Sequence, residues 1–223
     1  MDEIGARILE LKQEIPDGVE LVAVSKFHPA SAVMAAYEAG QRRFGESRVQ
    51  ELLKKRDELP ADIEWHFIGH LQTNKVRSLM GKTALVESVD TEHLLECIDR
   101  ESVRAGVTTR VLMQLHVAQE ETKFGFSPEE LLEYFKARRF ETLKATHICG
   151  VMGMASNTDD MDRVRSDFSR IAGVFRAIRD DESLGLRGFD TLSMGMSGDW
   201  PIAVDEGSNL IRIGTRIFGE RQY

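Results

Sequence analysis

LVAVSKFHP, Leu21 to Pro29, sets four apolar residues in a row, breaks to Ser25 and Lys26, and turns at His28-Pro29. A continuous apolar run suits a parallel strand covered on both faces, where neither side meets water. Its ending on a lysine is the difficulty. An ammonium is costly to bury unless it is paired or deprotonated, and a lysine at a strand tip can otherwise snorkel to water. What Lys26 does depends on the surface that the strand tip joins, and so on how many such strands the chain holds.

Seven more β-rich runs are present: RRFG (42–45), IEWHFIG (63–69), ALVESV (84–89), TRVLMQLHV (109–117), HICGVMGM (147–154), FDTLSM (189–194) and NLIRIG (209–214). With ELVAVS (20–25) they make eight, alternating with amphipathic helical stretches. SPEELLEYF carries a capping box, with Ser127 as N-cap, Pro128 at the first helical position and Glu130 reaching back. PASAVMAAYEAG stops on Gly40, a natural residue just past a helix end. Met161, Val164, Phe168, Ile171, Phe175 and Ile178 form one apolar stripe in the segment Thr158 to Asp181, predicted to be the longest helix. Eight β/α units without a linker predict an α/β fold, a single (β/α)8 TIM barrel occupying residues 1–223 as one domain. The alternative is an open doubly wound sheet, which would more naturally open with a G-x-G-x-x-G turn; SKFHPA is not one.

Composition excludes several classes. Over 223 residues, 42% hydrophobic and 30% charged residues are those of an ordinary globular protein, and a net charge of -8 argues against a general nucleic-acid binder. The N-terminus MDEIGARILELKQEI lacks the apolar core of a signal peptide, and no stretch approaches the roughly 18 apolar residues of a membrane span. A cytoplasmic protein with a small ligand is expected. Cys97 and Cys149 stand far apart with no metal-ligand spacing, and no metal site is expected.

Barrel sites lie at the C-terminal ends of the strands. There the sequence places Ser25-Lys26, Glu46-Ser47, Gly69-His70, Ser88, His116, Gly153, Ser193-Met194 and Gly214-Thr215, with Lys26 the lysine among them. A partly desolvated lysine has a lowered pKa and attacks carbonyls, so a Schiff base at Lys26 is the leading chemistry. SMGMSGDWP (193–201) and RIGTRIFG (212–219) place glycines with Ser193, Ser197 and Thr215 at the last two strand tips, where barrels frequently hold a phosphate. Together they suggest a phosphorylated aldehyde. His66 and His70 stand four apart, but on a strand running into its loop, so a structural role is expected for His66. His116 and His147 remain unassigned, and Lys123 reads as a loop lysine.

VAVSKFHP, FGESRVQE, WHFIGHLQTNK, ETKFGF, LSMGMSGDWPIAV and IRIGTRIFGER, in this order across the chain, resemble the blocks of the YggS/PROSC family of pyridoxal 5′-phosphate (PLP) homeostasis proteins. The resemblance implies the barrel of the alanine racemase N-terminal domain, PLP fold type III, and names the aldehyde as PLP. It implies that Lys26 holds the cofactor as a Schiff base, that Ser193, Gly214 and Thr215 take the phosphate, and that Arg212 faces the pyridine nitrogen. Ser47-Arg48 stands where the family usually has Asn-Tyr, so a contact made through that asparagine is not expected here. Lys123 matches a family lysine. A guanidinium against the ring nitrogen disfavours ring protonation and weakens the ring as an electron sink. The chain ends nine residues after Gly214, so a second domain of the racemase kind is not expected.

Three functions are open. The first, implied by the resemblance, is a monomeric PLP carrier or buffer without turnover and with no catalytic residues, with PLP-dependent apoenzymes as candidate recipients. The second is a PLP-dependent racemase or related amino-acid enzyme. The third is an aldolase whose lysine bonds to the substrate itself.

Overall fold

In the computed structural model, which describes residues 3–117 and 124–220, β1 (Glu20–Val24) lies between β2 (Arg43–Glu46) and β8 (Leu210–Ile213), parallel to both. The pairing of β1 with β8, Val22 opposite Arg212 and Ala23 opposite Ile213, closes the sheet. The others follow in chain order: β3 (Glu64–Phe67), β4 (Leu85–Val89), β5 (Thr109–Leu115), β6 (Thr146–Gly153) and β7 (Thr191–Ser193). The eight form a closed barrel, β1-β2-β3-β4-β5-β6-β7-β8. The open-sheet alternative is thereby excluded.

The helices run along the outside: α1 (Glu3–Glu14), α2 (Ala30–Glu38), α3 (Val49–Glu58), α4 (Thr73–Leu79), α5 (Glu92–Ala105), α6 (Pro128–Lys136), α7 (Met161–Arg179), α8 (Trp200–Asp205) and α9 (Thr215–Phe218). The capping box forms as expected, Ser127 Oγ accepting from Glu130 N while Glu130 accepts from Ser127 N. Gly40 follows α2 with φ at 87°. In α7 the apolar stripe packs inward from Val164 to Ile178 while Met161 is exposed, and the helix starts at Met161 because Asp160 is its cap, accepting from the amides of Asp162 and Arg163.

Alternation along each strand divides two cores. Leu21, Ala23, Phe44, Trp65, Phe67, Ile211 and Ile213 point outward under the helices, while Val22, Leu85, Leu112, Cys149, Met152 and Leu210 fill the lumen. The register shifts between Val111 and Leu112, opposite Gly150 on β6. Gly150 has φ at 152°, and a Cβ there would meet Thr191 O at 1.8 Å, so only glycine lets β7 approach. Both cysteines are free and buried. Among the described residues no helix is long and apolar enough to cross a membrane.

Candidate functional site

The tip of β1 is held by charge. Ser25 is fully buried, and its hydroxyl donates to Glu46 Oε1 at 2.6 Å. Lys55, on α3 and only 5% exposed, donates to Ser25 O at 2.8 Å, Glu46 Oε1 at 2.7 Å and Glu51 Oε1 at 2.8 Å. Glu51 Oε1 also accepts from Phe27 N at 2.7 Å. Phe27 has φ at 70°, a left-handed conformation that a bulky residue rarely adopts, so the turn after Lys26 is fixed by its surroundings rather than by local preference. The buried ammonium beneath the strand tip is therefore Lys55, while Lys26 is half-buried at the mouth. Burial pushes the Glu46 carboxyl up to about 7, against the pull of the Lys55 charge and hydrogen bond and of Ser25; its Oε2 is buried without a partner.

Lys26, Arg212, Gly214 and Thr215 line one cavity of about 260 Å³ at the C-terminal mouth. Its walls are Val24, Ile68, Met152, Met154 and Met196, with Ser197 and Gly198 beside Gly214. Gly214 N donates to Ser197 Oγ at 3.3 Å, and a Cβ on Gly214 would lie 3.3 Å from Val24 O. An apolar slot with an amine, a guanidinium and a glycine-serine-threonine corner matches the chemistry of a flat aromatic aldehyde bearing a phosphate.

Ser193 stands apart from this group. It is fully buried below the cavity, its hydroxyl donates to Glu87 Oε2 at 2.6 Å, and it accepts from an Arg212 guanidinium nitrogen. With its proton and a lone pair so engaged, the hydroxyl is not presented to the cavity; Ser197, four residues on, is. Arg212 also donates to Gly153 O at 3.0 Å. Burial pulls the Arg212 pKa down, opposed by the nearby charges of Glu87 and Asp199. Burial acts on Glu87 in the opposite sense, upward, yet His66, Arg212 and Ser193 outweigh it and leave the carboxyl below its usual range.

The histidines separate. His66 Nδ1 lies 2.6 Å from Glu87 Oε1 inside the barrel, as befits its expected structural role, and His70 Nδ1 lies 2.7 Å from Asp90 Oδ2 at the rim, its ring stacked on Phe124. His147 Nε2 donates to Arg187 O at 2.7 Å. Arg48 sits with its guanidinium carbon 4.8 Å from the centre of the Phe27 ring. Lys123 lies outside the described residues. Sequence reasoning placed Glu46 at a strand tip without a role and missed Lys55 and Glu87; ALVESV did carry a signal, a carboxylate in the middle of an apolar strand.

A parallel barrel with an amine and a glycine-serine-threonine corner at its C-terminal mouth fits a class that sequence comparison also selects: the alanine racemase N-terminal domain family matches residues 1–222. The "Pyridoxal phosphate homeostasis protein" of Aquifex aeolicus is 38% identical over 205 residues, covering 92% of this chain and 88% of that one. The protein of the same name from Haemophilus influenzae is 37% identical over 210 residues, 92% of this chain and 86% of its own. PipY of Synechococcus elongatus, solved with PLP bound, superposes with a TM-score of 0.89 at 35% identity over 97% of this chain and 100% of PipY. This chain belongs to the pyridoxal phosphate homeostasis protein family. An alanine racemase of Clostridium difficile shares the fold at a TM-score of 0.79 and 13% identity, this chain covering 58% of it.

Proposed function

We propose that this chain binds PLP in the cavity at the C-terminal mouth, with Lys26 bonded to its aldehyde carbon, and serves PLP homeostasis as a carrier without turnover of its own. The observation that carries this is the grouping of Lys26, Arg212, Gly214 and Thr215 around one cavity in a chain whose relatives bear the homeostasis name. Bound PLP supplies an aldehyde for amines and a ring that draws electrons. The chain supplies the rest. Lys26 is the attacking amine, Gly214 N, Thr215 and Ser197 take the phosphate, the methionines cover the ring faces, and Arg212 presents donors to the ring nitrogen. Ser193 acts on the cofactor through Arg212. The barrel acts as a single cytoplasmic domain and a monomer, passing PLP to apoenzymes that require it.

Borohydride reduction of the loaded protein followed by peptide mapping tests the attachment. The reduced adduct should map to Lys26 and disappear in Lys26→Ala; an adduct on another lysine would overturn the assignment. Size exclusion of the loaded protein should give a monomer.

A further inference from the structure

A carboxylate in the middle of a barrel strand needs a reason to be there. Glu87 is fully buried, and its two oxygens face different partners: Oε1 takes His66 Nδ1 at 2.6 Å and Oε2 takes the Ser193 hydroxyl at 2.6 Å. The serine has one proton, so having given it to Glu87 it can only accept from Arg212, whose guanidinium lies 3.7 Å from Glu87 Oε2. A carboxylate only accepts, which places the His66 proton on Nδ1. The direction of every bond from Arg212 through Ser193 and Glu87 to His66 is thus fixed. Arg212 borders the cavity at the C-terminal mouth, and His66 borders another, of about 390 Å³, between the N-terminal ends of the strands. Glu87 touches neither opening through any bond of its own, yet it is the counter-charge buried with Arg212.

We propose that Glu87 is a positioning residue for the cofactor site: it anchors Arg212 at the cavity floor and offsets its charge, setting the electrostatics around a ligand it never touches. This rests on PLP occupying that cavity. Its consequence is specific. Glu87→Gln keeps the shape, because the amide carbonyl still accepts from Ser193 while its NH2 donates to His66, whose proton moves to Nε2. Arg212 then loses the larger of its two nearby counter-charges and keeps only Asp199, and the extra positive potential disfavours a protonated nitrogen at the Lys26–cofactor bond. Ser193→Ala removes the bridge and keeps both charges.

The test loads wild type, Glu87→Gln, Ser193→Ala and the double variant Glu87→Gln/Arg212→Gln with PLP. Each is checked by circular dichroism and by adduct mass after borohydride, and the visible band is then titrated against pH. In Glu87→Gln the midpoint at which the visible band gives way to the near-ultraviolet form should fall by on the order of one pH unit. Ser193→Ala should stay within a few tenths of a unit of wild type, with weaker retention of PLP. The double variant buries neither charge, so its midpoint should return to or above that of wild type, a comparison that stands even where Glu87→Gln does not fold. A merely structural Glu87 would lower stability and leave the midpoint in place. An unmoved midpoint in adduct-forming Glu87→Gln, a fall in Ser193→Ala as large as in Glu87→Gln, or a double variant below wild type would each overturn the proposal. A wild-type protein that forms no adduct would instead sink PLP attachment at Lys26, and the role of Glu87 with it.

Discussion

Lys26 answers to residues that are remote in sequence. Lys55 and Glu51, one turn apart on α3, and Glu46 at the tip of β2 hold the backbone on both sides of it. In Glu46 the folded-state pKa is about 7 against an ordinary 4.5, so between those values the folded state binds more protons than the unfolded chain. The sign follows: this carboxyl's contribution is intact below about pH 4.5 and is lost as pH rises through 7. A shift of this size corresponds to as much as ~3 kcal/mol. Glu46→Gln leaves Lys55 its bonds to Glu51 and Ser25 O, and should flatten the fall in stability between pH 5 and 7, read by urea denaturation at several pH values; an unchanged slope would assign it to other groups. At the anion corner, Gly214→Asp would set a carboxylate beside a dianion. The added Cβ meets Val24 O at a tight but adjustable 3.3 Å, so the barrel should persist. Retention of PLP should drop at least tenfold, by the order of a like-charge contact in a partly desolvated site, while pyridoxal, without the phosphate, should bind much as before. Equal loss of both in equilibrium dialysis would move the phosphate elsewhere.

Strands and helices were legible wherever period and punctuation agreed. All eight runs became strands because most are short, apolar and bounded by turn residues, and parallel barrels leave no solvent face to blur that signal; RRFG, with two arginines, was carried by its place in the alternation. Boundaries were less so: FDTLSM yields only Thr191–Ser193, since one side of β7 pairs with β6 through three residues and the other with β8 through Ser193↔Leu210 alone. Of the cavity lining, Lys26, Gly214 and Thr215 were readable as strand-tip residues, and Arg212 through likeness to a family. Glu46 was placed at a strand tip without a role, and Lys55 and Glu87 were not readable, because a charge looks solvated in sequence until the barrel brings its partner across the lumen or under a loop. Local signals also predict local effects. The Ser127 cap of α6 satisfies the Glu130 amide and accepts nothing from the cavity, so Ser127→Ala should cost about 1 kcal/mol in denaturant and leave PLP retention as in wild type. A coupled loss of cofactor would show that α6 reports to the mouth.

For the molecule as a whole, the open question is whether a barrel that holds an activated aldehyde also turns amino acids over. Racemisation needs a proton removed from one face of a carbon and returned to the other, and hence two bases or one that is free to move. Of the described residues lining the cavity, Lys26 and Arg212 are the ionisable ones; Met152, Met154, Met196, Val24 and Ile68 offer no proton acceptor. Arg212 stays charged and is held by Ser193 and Gly153, so it accepts no proton, and at the ring nitrogen, where we propose it sits, it would lend none. The ring is then a poor sink for a carbanion. His70, at the rim, has its Nδ1 on Asp90 and its face on Phe124, which fixes the imidazole outside the cavity lining. On the proposed reading, such a site would exchange one amine for another at the aldehyde carbon without stabilising and reprotonating a carbanion, which is the step that turnover requires. The loaded protein, incubated with a panel of amino acids in deuterated water, should show α-proton exchange by NMR no faster than free PLP at the same concentration. Saturable exchange well above free PLP that vanishes in Lys26→Ala would make the barrel an enzyme, with Lys26 as a base and a second base still to be found at the mouth.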